Sequence, residues 1–139
     1  MKRRTRIVTV VIVLIAAVGI GLSAQAIAKL PGITTEDQHP QGCVDCHTQS
    51  SSGDHRLNVA LKEVSGHPAI DSIVNTVPND CMMCHGSYAA KLNTITHTAH
   101  YKNPEENHFV GYYAGQCLEC HSLDLSTGTM SVKSGPKNW

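Results

Sequence analysis

One five-residue pattern, present three times, constrains this chain more than any other feature. It reads CVDCH at Cys43–His47, CMMCH at Cys81–His85 and CLECH at Cys117–His121. The first cysteines are 38 and then 36 residues apart, and the three copies use all 6 cysteines of the 139-residue chain. Any fold must therefore bring two thiols and an imidazole together at three separate places.

C-x-x-C-H is the attachment pattern for a c-type haem. Cysteines at i and i+3 share one side of a helical turn, so Cys43/Cys46, Cys81/Cys84 and Cys117/Cys120 can each form two thioethers along one porphyrin edge. The histidine that follows, His47, His85 or His121, then lies under the ring as proximal iron ligand. Rival uses of paired cysteines fit less well. A zinc site takes two such pairs or adds two spaced histidines, and three pairs do not divide that way. Structural disulfides do not require a histidine after every second cysteine. A thioredoxin-like pair expects a βαβ context, which the sequence lacks.

Six further histidines remain: His39, His55, His67, His97, His100 and His108. Three would give every iron a second imidazole. His97 and His100, in the segment THTAH, share one face of an expected helix and cannot bind one iron from opposite sides, so they are assigned to two different haems. His67, in the constrained turn SGHPAI, is the third distal assignment. His39, His55 and His108 stand in reserve, with solvated or propionate-contacting roles as the alternative. Methionine is the other usual distal ligand. Met82 and Met83 lie within the thioether clamp, and Met130 sits in a segment rich in glycine and serine. The expectation is three covalently bound haem c groups, mostly bis-histidine and of low potential.

The start of the chain reads as an export segment. Lys2, Arg3, Arg4 and Arg6 precede an apolar run, and Ala24-Gln25-Ala26 and Ala26-Ile27-Ala28 offer small-x-small cleavage patterns. Residues 1–28 are thus expected to be a signal peptide or an uncleaved membrane anchor, leaving residues 29–139 as one domain. Export agrees with haem attachment outside the cytoplasmic membrane, in a periplasmic or extracellular setting. From Lys29 onward, 7 Lys and Arg oppose 11 Asp and Glu, a net charge of −4. That balance excludes nucleic acid as a partner and favours basic partner surfaces.

Large apolar side chains are scarce, with 1 Phe and 1 Trp in the chain. Protein packing alone would struggle to offset the ordering entropy of so small a domain, so the haems are expected to serve as its staple. The fold class expected is mainly α and irregular, haem-cored, with short helices at each C-x-x-C-H and little or no β-sheet. Ser87 to Tyr101 is the best helix, Leu57 to Val64 offers two turns, Phe109 to Tyr113 is a weak strand, and Ser126 to Asn138 reads as a tail without periodicity. Trp139 reads as an ordinary tail residue.

From Cys43 to His121 the chain resembles the small multihaem cytochromes c, of the class III and small tetrahaem kind used in anaerobic respiration. The resemblance rests on the three motifs, the surplus histidines, the H-x-x-H pair and the runs CMMCHGSYAAKL and CLECHSLDLSTG. Three haems instead of four depart from that group's commonest pattern. The resemblance implies electron transfer among closely packed haems, and the chain is read as a carrier with no catalytic residues. The partners implied are redox proteins: a quinol-oxidising module, a terminal reductase or other multihaem cytochromes. Three alternatives use the same residues differently: a membrane-anchored quinol-dehydrogenase subunit, a subunit that polymerises into an extracellular filament, and catalysis at a haem with an open sixth site.

Overall fold

The structure, a computed structural model, describes residues 28–139. The export segment expected at residues 1–28 lies, apart from Ala28, outside the described residues. Short helices joined by irregular chain dominate, as expected. Helix α1 covers Cys43–Cys46, and α2 covers Leu57–Ala60 and continues as a 3-10 turn at Leu61–Glu63. A 3-10 turn at Asn79–Cys81 leads into α3 at Met82–His85. Helix α4 spans Leu92–Tyr101 and α5 His108–Tyr113. The first two motifs thus sit on α-helical turns, while the third forms a 3-10 turn at Cys117–Glu119.

Three two-stranded antiparallel ladders depart from the expectation of little or no sheet. Strands β1 (Gln49–Ser50) and β2 (Gly53–Asp54) make a tight hairpin, and β3 (Thr76–Val77) pairs with β6 (Gly135–Pro136) across the chain. The longest ladder joins β4 (His121–Asp124) to β5 (Thr129–Val132). The supposed tail from Ser126 to Asn138 therefore supplies two strands.

Two further expectations are corrected. Phe109 to Tyr113 belongs to α5, not to a strand: the Asn107 side chain accepts the Phe109 amide at the N-terminus, and Ala114 ends the helix with φ 55°. Capping at both ends overrides the strand preference of an aromatic run. The helix expected from Ser87 begins only at Leu92. Before it, backbone carbonyls are taken by side chains, with Lys91 Nζ donating to Gly86 and His85 Nδ1 to Ala90.

The apolar core is small. Val44, Ile70, Val74 and Val77 form it, with Leu57, Leu61 and Trp139 packed against it. Trp139 is thus a core contact instead of a bare tail residue. The segment carrying it is tied to the first motif, since Asn138 Nδ2 donates to the carbonyls of Val44 and His47, each at 2.8 Å. Close packing also decides Gly135, where a β-carbon would come within 2.5 Å of Gln41 Cβ and 2.9 Å of Val44 Cγ2. Many large apolar residues stay on the surface, among them Met82 and Met83 at 51% exposure each and Val132 at 55%.

Candidate haem-ligand site

The fold sorts nine histidines into three opposed pairs and three single residues. His47 at the end of α1 faces His100 on α4, with ring centroids 6.1 Å apart and planes crossed at 89°. His85 at the end of α3 faces His67 at 6.1 Å, with planes inclined by 15°. His121 at the start of β4 faces His97 on α4 at 6.2 Å, with planes inclined by 5°. Each pair joins one motif histidine to one of the three histidines chosen as distal. Helix α4 contributes to two pairs because His97 and His100 are three residues apart, close to one turn.

Those separations suit a metal held between two rings. With a metal–nitrogen bond of about 2 Å on each side, and a ring nitrogen about 1.1 Å from its ring centre, two trans imidazoles have centroids roughly 6 Å apart. The ring nitrogens are also sorted. Nδ1 donates to a backbone carbonyl in His47 (to His55, 3.0 Å), His67 (to Pro68, 2.9 Å) and His85 (to Ala90, 2.7 Å). The same holds for His97 (to Asn93, 2.8 Å) and His100 (to Thr96, 2.8 Å). A carbonyl only accepts, so the proton must reside on Nδ1 and the Nε2 lone pair is left for a metal. In α4 this bond comes directly from helical spacing, because each histidine reaches the carbonyl four residues before it. Burial pushes the His47 imidazolium below its ordinary pKa, which keeps the ring neutral and ligating.

The three reserve histidines are engaged differently. His39 Nδ1 meets the carboxylate of Glu119 at 2.5 Å, and its ring packs edge-on to Tyr113. The His55 side chain lies 3.5 Å from the Ser52 hydroxyl, while its carbonyl orients His47. His108 stacks on Tyr112 at 5.2 Å. None of them faces a motif histidine in this structure. The sequence did not single out Glu119, although its position inside the third motif next to buried Leu118 makes it a tether for the His39 segment.

The six thiols form no disulfide. Burial raises the pKa of Cys43 and of Cys46 to about 11, and it raises those of Cys81 and Cys120 as well. Such thiols stay protonated at neutral pH, so in the bare chain they are poor thiolate ligands for a metal ion.

The three cysteine pairs are not uniformly enclosed. Cys84 is exposed, and so is Cys117, whereas Cys43, Cys46, Cys81 and Cys120 are half-buried. The reason at Cys84 is the placement of α3, whose four residues form a surface turn with Met82 and Met83 exposed beside it. Apolar residues cover the first motif instead, because Val44 and Cys43 pack into the core. Protein packing therefore shelters Cys81 more than Cys84.

Among the described residues no group of three or more His, Cys, Asp or Glu is placed to hold a bare metal ion. Two imidazoles supply two donors, so a metal held between such a pair would need its remaining ligands from a group other than these side chains.

Comparison with protein-family models, with curated proteins and with solved structures returns no match.

Proposed function

We propose that this chain is a three-haem c-type cytochrome that carries single electrons outside the cytoplasmic membrane. One observation carries the reading: each C-x-x-C-H histidine faces one of the surplus imidazoles, at 6.1, 6.1 and 6.2 Å between ring centres. Haem c, when bound, supplies a one-electron Fe(III)/Fe(II) couple.

The chain's own residues do the rest. Cys43/Cys46, Cys81/Cys84 and Cys117/Cys120 would hold the porphyrin edges, with those at Cys84 and Cys117 open to solvent. His47/His100, His85/His67 and His121/His97 would fill the axial positions, their orientation fixed in five of six rings by a carbonyl at Nδ1. Two imidazoles for each iron would leave no open coordination position, which favours electron transfer over catalysis at iron. Neutral histidine ligands also favour lower potentials than methionine would. The partners proposed are a quinol-oxidising module as donor and a terminal reductase or second multihaem cytochrome as acceptor.

Intact-mass measurement of natively matured protein, with a pyridine haemochrome assay, tests the reading. Three covalently added haems are expected. A coloured protein with fewer would revise the number of sites, and a colourless one at the bare polypeptide mass would end the proposal.

A further inference from the structure

The hairpin β4–β5 has two chemically distinct faces. Its register sets His121 opposite Val132, Ser122 opposite Ser131, Leu123 opposite Met130 and Asp124 opposite Thr129. Directly opposed residues share a face and successive residues alternate between faces. One face therefore carries Ser122, Asp124, Thr129 and Ser131, with the two serine hydroxyls 2.8 Å apart. The other carries Leu123, Met130, Val132 and the imidazole of His121.

A two-stranded hairpin is at best marginally stable by itself and needs something against its apolar face. Here Met130 is 50% and Val132 55% exposed. The apolar face and the imidazole of His121 leave the strands on the same side, and that imidazole meets His97 of α4 at 6.2 Å. We propose that this face is the wall of the third haem site, with Leu123, Met130 and Val132 lying against the porphyrin that His121 would bind. The inference rests on the cytochrome reading above.

Met130 then stands on the motif-histidine side of that haem, so it packs against the ring and does not compete with His97 as distal ligand. An apolar wall also disfavours the extra positive charge of ferric iron, so it raises the potential of this site over what a polar wall would give.

The test uses natively matured protein. In the fully reduced, diamagnetic state, the methyl protons of Met130 and Val132 are expected well upfield of their ordinary positions, displaced by the porphyrin ring current. The double variant Met130→Gln, Val132→Thr is expected to lower one midpoint potential and leave two in place, whereas Ser131→Ala on the opposite face leaves all three. Both substitutions change volume little, and the mass and visible spectrum of the double variant show whether it still folds and carries three haems. Ordinary methyl positions, with all potentials unmoved in the double variant of a protein whose mass carries three haems, would overturn the wall and leave the cytochrome reading intact. A mass without haem would overturn the reading beneath it.

Discussion

The planes of His47 and His100 cross at 89°, whereas those of His97 and His121 lie within 5° of parallel. This contrast has an electronic consequence. Parallel imidazoles both interact with the same iron d orbital and split it from its partner, while crossed imidazoles affect the two equally and leave them nearly degenerate. In the ferric protein, electron paramagnetic resonance is expected to show one strongly axial low-spin species from the His47/His100 site and two rhombic ones. Three indistinguishable rhombic species would contradict the crossed geometry.

Removing a distal imidazole should open one coordination position and leave the others closed. His67→Ala, His97→Ala and His100→Ala are each expected to convert one haem of three to a high-spin ferric absorption signature. His39→Ala, His55→Ala and His108→Ala should convert none, because those side chains lie against Glu119, Ser52 and Tyr112. Visible spectra of the six variants at one pH decide the matter. A high-spin band in His108→Ala, for example, would reassign the pairs.

Acid should weaken the ion pair beside the β1–β2 hairpin. Arg56 donates Nε and Nη2 to the two carboxylate oxygens of Asp54 at 2.8 and 2.6 Å, and this pairing lowers the Asp54 pKa from 3.8 to about 2. A depressed carboxylate pKa stabilises the fold above the unfolded value, and that contribution fades as pH falls from about 4 toward 2. The pair is solvent-accessible, so salt weakens it further. An NMR titration of Arg56→Ala should return the Asp54 carboxyl toward its ordinary value near 3.8. An unchanged titration would mean that the guanidinium is not its cause.

The contact between Trp139 and the core around Val44 and Val77 should be measurable as stability. Trp139→Ala is expected to cost about 2–3 kcal/mol in denaturant unfolding, below the usual loss for a fully buried tryptophan because this ring is only partly covered. Gly135→Ala should cost about 1–3 kcal/mol for the opposite reason, overpacking against Gln41 and Val44. A loss under about half a kcal/mol in both would place the 135–139 segment outside the folded unit.

Much of the site was legible in the sequence because its rules are local. The C-x-x-C-H spacing places three groups within one turn, and the three-residue interval between His97 and His100 puts them on one face of α4 wherever that helix packs. The turn at His67 was readable for a similar reason, since proline at 68 restricts the residue before it. What stayed hidden depended on partners distant in sequence. Spacing placed Cys84 beside Cys81 but could not tell that the first would be exposed and the second half-buried, because that depends on what packs over α3. The strand at Thr129–Val132 alternates polar and apolar residues, but its meaning needs Ser122 and Leu123 across the ladder. The five residues from Phe109 favour a strand by composition, and only the caps at Asn107 and Ala114 make them helical. The anchoring of Trp139 could not be read at all, because it depends on Asn138 reaching carbonyls 94 and 91 residues earlier in the chain.

Helix α4 is a rod of 10 residues that brings imidazoles to two centres at once. Were irons bound as proposed, a tilt of such a rod could not relax the bond at one centre without straining the bond at the other. Loosening at His47 and His100 would then be felt at His97 and His121. The pair of His67 and His85, which takes nothing from that rod, would fail on its own schedule.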